Sequence, residues 1–223
     1  MLWKLSSSLD DLVVSEKNSL PSTESSDIQS SRLQEGGGDI VCDLTDKQSI
    51  EDAVATIVKD IPQIDCIINC AGGGEIESID TFDFDHADEA RKVNTLGHAY
   101  LIAWLRDQIK NQWTDIITIG ATIAYKANEY MPLYSVAKWW LRGLVENRRQ
   151  WLKATASRVI LVSPWWLDGE SNLGPTGRET KISQITGKDP GIMVSTKELA
   201  KFILTIYQLP KSMEVSEVMV NRK

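Results

Sequence analysis

The sequence predicts an α/β protein built on a doubly wound parallel sheet whose N-terminal strands are missing or degenerate. Three observations carry this. The runs at 64–70, 116–119 and 159–162 are apolar almost throughout, as strands buried on both faces of a sheet are. Between them lie longer stretches whose apolar residues recur at helical spacing. Strand and helix alternate, which sets parallel strands side by side with helices on both faces.

Each element follows from its residues. Residues 15–39 are dense in Ser, Glu, Gln and Gly, with only Leu20, Ile28 and Leu33 as large apolar residues. Such a stretch buries too little surface to offset the entropy of ordering it. Residues 1–38 are therefore expected to be a polar, flexible N-terminal segment, and 39–223 the folded domain. Leu12-Val13-Val14 is the one candidate there for a substitute strand. Gly36-Gly37-Gly38 has no apolar strand before it and no helix directly after it, so it lacks the setting of a phosphate-cradling loop.

From Asp39 the pattern is regular. Ile40-Val41-Cys42 predicts a short strand. Thr45, with Gln48 three residues on, has the form of a capping box and predicts a helix with Ile50, Val54, Ile57 and Val58 on one face. A strand follows at 64–70, then a long helix at about 89–109 and a strand at 116–119. A helix at 133 to about 154 leads to a strand at 159–162 that ends in Ser163-Pro164. Ser195 and Glu198 form a second capping box, opening a helix with Leu199, Ile203, Ile206 and Leu209 on one side. Residues 215–220 alternate as a last strand.

Composition narrows the function. Asp and Glu number 31 against 24 Lys and Arg, a net charge of −7. An acidic chain without a basic stripe gains nothing from counterion release, so nucleic acid is not an expected partner. No apolar run reaches the length of a membrane span and the start has no signal-peptide form, so a cytoplasmic protein is expected. Cys42, Cys66 and Cys70 sit in strand-like settings and are expected to be reduced and buried. Their spacing does not match a metal site, and His86 and His98 do not add one, so no metal is expected.

In open parallel sheets ligands sit beyond the carboxyl ends of the strands. That places Asp43, Asn69 to Gly74, Gly120 to Thr122 and Ser163 to Asp168 where chemistry is expected. Tyr134 and Lys138 stand four apart near the start of a helix, so both fall on one face. A free phenol is a poor acid or base at neutral pH, and an ammonium beside it favours the phenolate. Such a pair can pass a proton to or from a substrate oxygen while a cofactor moves a hydride. Asn69-Cys70-Ala71-Gly72 ends a buried strand with small residues that let a ligand approach the backbone. Asn94 lies in a helix that Asn does not favour.

In this order and spacing, from about Asp39 to Asn221, the sequence resembles the short-chain dehydrogenase/reductase family. The resemblance implies a Rossmann-like fold and an NAD- or NADP-dependent interconversion of an alcohol and a carbonyl. It implies Tyr134 as acid/base, with Lys138 as its tuner and the ligand of the nicotinamide ribose. Asn94 would support a water-mediated proton relay. Asn69, Ala71 and Gly72 would shape the adenosine-side pocket, with Cys70 in place of a second asparagine. Asp43 and Leu44 would contact adenine, and Pro164 and Leu167 would flank the nicotinamide carboxamide. A homodimer or homotetramer would form through helices bearing residues 100–109 and 139–151.

The sequence departs from the family in three places. The opening glycine-rich turn is absent, and no glycine occurs before Gly36. The position of the family's catalytic serine is Ala121, with Thr122 beside it as a possible substitute. The family's Pro-Gly is Pro164-Trp165 here. The pairs Trp139-Trp140 and Trp165-Trp166 are expected to pack in the core or at a dimer interface. Residues between Trp166 and Val194 are expected to form a substrate lid. Three readings stay open: an active oxidoreductase, a catalytically silent relative that keeps the scaffold for binding or oligomerisation, and a truncated chain.

Overall fold

The structure, a computed structural model, describes residues 12–16, 29–34, 40–74, 79–81, 84–126, 129–168, 183 and 193–221. The strands are β1 (Leu12–Glu16), β2 (Gln29–Gln34), β3 (Ile40–Val41), β4 (Cys66–Asn69), β5 (Asp115–Ile119), β6 (Val159–Pro164) and β7 (Glu217–Val220). They form one sheet in the order β3-β2-β1-β4-β5-β6-β7. The helices are α1 (Lys47–Asp60), α2 (Phe84–Arg91), α3 (Gly97–Trp104), α4 (Arg106–Gln112), α5 (Pro132–Leu152) and α6 (Thr196–Tyr207).

β4 to β7 are mutually parallel. β1 falls on the Leu12-Val13-Val14 run and pairs antiparallel with both β2 and β4. Two N-terminal strands therefore keep places in the sheet, but β1 runs against its neighbours. A parallel pair needs a crossover of a dozen or more residues, usually helical. The 12 residues between β1 and β2 offer no apolar helical face and contain Pro21. An antiparallel return needs none. Gly36-Gly37-Gly38 lies outside the described residues.

Alternation along the central strands divides the core into two layers. Ile116, Val159 and Leu161 point to the face covered by Ile50, Ile57, Leu101, Leu105 and Val145. Ile117, Ile119, Ile160 and Val162 point to the other face, covered by Leu199, Ile203 and Ile206. Each such side chain contributes roughly 1.5–3 kcal/mol when fully buried. At the amino ends of the parallel strands, Asp115 is fully buried. It accepts from Arg158 at 2.6 and 3.0 Å and from Lys211 at 2.7 Å. Arg158 also donates to the carbonyls of Leu209 and Tyr207, which ties the end of α6 to the sheet.

Local details correct three sequence expectations and narrow a fourth. The cap of α1 is Asp46, whose side chain accepts from Gln48 N, because Thr45 Oγ1 donates to Asp43 instead. Ser195 makes no capping bond at α6; the amide of Thr196 donates to Asp168 Oδ1 at 2.6 Å. The single long helix expected at 89–109 is divided: a π turn (Lys92–Leu96) joins α2 to α3, and α4 follows α3. Trp139 and Trp140 are 49 % and 41 % exposed on α5, so neither belongs to the core. Trp165 is also exposed, at 37 %.

Gly97 opens α3 directly against the loop after β3. A Cβ there would meet the Leu44 carbonyl at 2.6 Å and its Cβ at 2.5 Å. Gly97→Ala is therefore expected to destabilise the fold by about 1–3 kcal/mol. A urea midpoint equal to that of the unaltered chain would contradict this close approach.

Candidate functional site

The carboxyl ends of β4 and β5, the π turn and the first turns of α5 enclose the site. Pro132 starts α5, with its φ already suited to a helix N-terminus. The helix then carries Tyr134 half-buried and Lys138 buried, one turn apart. Lys138 Nζ lies 5.4 Å from the centroid of the Tyr134 ring and donates to the carbonyl of Ile119, the last residue of β5, at 3.3 Å. Burial depresses the Lys138 ammonium to about 8.

The loop after β4 is shaped around this pair. Gly72 has φ +143°, in the region that favours glycine. A Cβ on it would lie 2.6 Å from Asn94 Oδ1 and 3.0 Å from Lys138 Nζ. A Cβ on Gly74 would lie 2.5 Å from Tyr134 Cγ, so the phenol ring packs directly on that backbone. Asn94, in the π turn, donates from Nδ2 to Gly73 O at 2.8 Å and to Ala90 O at 2.9 Å. Its Oδ1 is buried and unpartnered. π turns inside helices recur at functional sites. This one turns Asn94 toward the Gly72–Gly74 loop.

Beneath the loop, His98 bonds through Nε2 to Ala71 O at 2.7 Å. Burial, with the cations of Lys138 and Arg148, depresses this imidazole to about 3, so it is neutral. A carbonyl can only accept, so Nε2 carries the proton. Arg148 holds the His98 carbonyl at 3.0 Å. Sequence reasoning set His98 aside, and its service here is to fix Ala71. Only its place on a helix facing the Gly-rich loop signalled that.

The structure brings together Tyr134, Lys138, Asn94, Gly72 and Ala71. Asn69 ends β4 beside them, buried, with both side-chain polar atoms lacking a partner. An unmade bond of this kind costs about 1–3 kcal/mol. Thr122 opens a 3₁₀ turn (Thr122–Tyr125) straight after Ala121. Pro164 ends β6, buried. Leu167 is buried and bridges Val194, pinning the ends of the segment expected to be a lid, most of which lies outside the described residues. Asp43 and Leu44 follow β3, two strands away from β4, and Leu44 packs against Gly97 just after the π turn. Asp43 Oδ1 accepts from the amide and hydroxyl of Thr45, both at 2.7 Å, and so shapes the turn into α1.

The nicotinamide cofactor implied by the resemblance meets a divided fit. The orphaned Asn69 amide and the Gly72 cradle facing Lys138 suit a polar ligand against bare backbone. At the carboxyl edge of the sheet, β1 begins rather than ends, with Leu12 opposite Asn69. No turn from β1 into a helix stands at that edge among the described residues. No group of three His, Cys, Asp or Glu among them is placed to hold a metal. No helix among them is long and apolar enough to cross a membrane. Their three cysteines are free and buried.

Comparison with known proteins matches residues 28–173 to the short chain dehydrogenase family. An oxidoreductase of Staphylococcus saprophyticus is 25 % identical over 181 residues, covering 81 % of this chain and 73 % of the relative. Sepiapterin reductase of Chlorobaculum tepidum is 27 % identical over 56 % of this chain and 52 % of its own. The 3-oxoacyl-[acyl-carrier-protein] reductase of Buchnera aphidicola is 30 % identical over 59 % of this chain and 54 % of its own. The matches to these two reductases thus span about half of each. Among solved structures, an alcohol dehydrogenase of Thermococcus sibiricus complexed with 5-hydroxy-NADP superposes with a TM-score of 0.67 at 19 % identity, covering 80 % of this chain and 72 % of the other. A serine dehydrogenase complexed with NADP+ gives 0.70 at 20 % identity, covering 80 % and 73 %.

Proposed function

This chain belongs to the short-chain dehydrogenase family, and on that premise we propose that it is an NAD- or NADP-dependent oxidoreductase interconverting a small alcohol and its carbonyl. The observation that carries the reading is the convergence of Tyr134, Lys138 and Asn94 on the Gly72–Gly74 loop. When bound, the nicotinamide supplies or accepts the hydride. Tyr134 gives its phenol proton to the carbonyl oxygen in reduction and takes it back in oxidation. The Lys138 ammonium favours the phenolate electrostatically and offers donors to the cofactor ribose. Asn94 Oδ1, buried and free to accept, suits a water that resupplies the proton. Thr122 stands in for the donor that Ala121 cannot provide. Asn69, Ala71 and Gly72 would hold the cofactor on its adenosine side, Pro164 and Leu167 would flank its nicotinamide, and Asp43 and Leu44 would contact the adenine.

Two relatives named as reductases favour the reductive direction. Val136, Trp139 and Trp140 on α5, with Tyr100 and Trp104 on α3, expose large apolar side chains suited to a second copy, as a homodimer or homotetramer. Buried free thiols suit a reducing, cytoplasmic setting. A second reading, a silent scaffold, is favoured by the reversed β1 and by Ala121.

Fluorescence titration with NADPH and NADH tests the proposal. Saturable binding is expected, at least tenfold weaker in Gly72→Ala because the added methyl displaces Asn94 Oδ1 and Lys138 Nζ. Cofactor oxidation is expected on adding aldehydes, β-ketoesters or α-diketones. Binding without turnover would favour the scaffold, and no binding would sink the oxidoreductase reading.

A further inference from the structure

Outside the cluster just described, four side chains from four elements meet behind the turn that follows β5. Tyr125, the last residue of the 3₁₀ turn, donates its phenol hydrogen to Glu217 Oε1 on β7. The same hydroxyl lies 3.2 Å from Ser163 Oγ on β6. Arg142 of α5 donates from Nε to the same Glu217 oxygen at 3.2 Å, and its guanidinium carbon lies 4.6 Å from the centroid of the Tyr125 ring. Ser163 is fully buried, and its Oγ would lie 2.7 Å from a Cβ on Gly120. The amide of Gly120 donates to Val162 O at 2.8 Å. Ser135 Oγ on α5 adds a bond to the carbonyl of Ile123, at 3.3 Å. The turn is thus held at its start through Gly120 and Ser163, in its middle by Ser135, and at its end by Tyr125.

These ties have a particular target. The turn begins at Thr122, the hydroxyl residue beside Ala121, and leads into α5, which carries Tyr134 and Lys138. A turn of four residues has little freedom once both ends are fixed, so an anchor at its last residue sets the place of its first. Two unlike partners, a carboxylate and a guanidinium, grip the Tyr125 ring and hydroxyl together. Charge-assisted bonds of this kind are about twice as strong as neutral ones and more directional. The anchor reaches α5 through Arg142, one turn past Lys138, so turn and helix are referred to one common point.

We propose that Tyr125 is a positioning residue: bound to Glu217 and Ser163 and stacked by Arg142, it sets the turn so that Thr122 takes the hydrogen-bonding place left empty by Ala121. The inference rests on the oxidoreductase reading above. Tyr125 touches no reacting atom and acts through Thr122.

A double-mutant cycle tests it, with NADPH and ethyl 3-oxobutanoate as the probe, or whichever aldehyde or α-diketone of a panel the unaltered chain reduces. Thr122→Ala is expected to lower kcat about 100-fold. Tyr125→Phe is expected to lower it about tenfold, with KM for the probe and Kd for NADPH within about twofold. The pair together is expected to match Thr122→Ala alone, since both remove one effect. Glu217→Gln reads the same cycle if Tyr125→Phe fails to fold. Additive losses, or an unchanged kcat in Tyr125→Phe, overturn the positioning role while leaving the oxidoreductase reading intact. If the unaltered chain reduces nothing in the panel, the oxidoreductase reading falls and the positioning role with it.

Discussion

Tyr134→Phe is expected to lower kcat/KM for carbonyl reduction by about 10³-fold while leaving the Kd for NADPH within about twofold. The ring packs on Gly74 through its carbon face, and phenylalanine keeps that face. What is lost is the phenol hydrogen offered to a substrate oxygen. A positioned acid contributes about 10²- to 10⁴-fold, and the residual rate comes from orientation of the bound reactants. Steady-state rates and a binding titration on the same preparation check it. A fall in rate that is matched by an equal loss of NADPH affinity would mean the phenol serves binding and not proton transfer.

Lys138→Met separates catalysis from stability. Lys138 is 3 % exposed, and it donates a hydrogen bond of 3.3 Å to the Ile119 carbonyl. Burying a charge so sparingly solvated costs more than its contacts return. Burial moves its pKa from the usual 10.5 to about 8. The sign follows from proton counting. Between about pH 8 and 10.5 the unfolded chain holds a proton on this lysine that the folded chain has released, so stability rises with pH across that window. Below about pH 8 both states are protonated and the full cost is present. Lys138→Met removes the cost, so the variant is expected to melt at an equal or higher temperature than the unaltered chain at pH 7. The advantage should shrink as pH climbs to 10.5. Activity is expected to fall by 10²- to 10³-fold, because the phenolate loses its neighbouring cation and the cofactor ribose loses its donors. Melting curves at pH 7, 8.5 and 10 check the first part. A difference that stays constant with pH would show that Lys138 is not the charge being relieved.

The parts of the fold that the sequence announced are those governed by period and by local chemistry. Ile116-Ile117 and Ile160-Leu161 alternate between the two core layers because side chains in a strand alternate. Tyr134 and Lys138 meet because four residues make one helical turn, and Pro132 fixed where that helix starts. Small residues after β4 marked the close approach now seen at Gly72 and Gly74. What could not be read is what depends on competition or on distance. Thr45 and Asp46 both suit a cap, and the choice fell to Asp46 only because Asp43 claims the Thr45 hydroxyl. The direction of β1 depends on what connects it to β2, and its five residues carry no mark of direction. Tryptophan is large in a core and large on a surface, so the exposure of Trp139 and Trp140 needed the packing of α5 to be known. Tyr125, Glu217 and Arg142 are far apart in the chain, and no spacing rule links them.

The central claim is that a phenol and an ammonium, set against a glycine loop, deliver a proton to an oxygen whose carbon receives a hydride. The most direct measurement follows label from NADPH deuterated at the transferable position of nicotinamide C4 into the alcohol formed from ethyl 3-oxobutanoate, or from whichever panel carbonyl is reduced. The account predicts one deuterium on the carbinol carbon with the unaltered chain, and labelled alcohol forming about 10³-fold more slowly with Tyr134→Phe. Alcohol formed without deuterium, or labelled alcohol formed equally well by Tyr134→Phe, would contradict it.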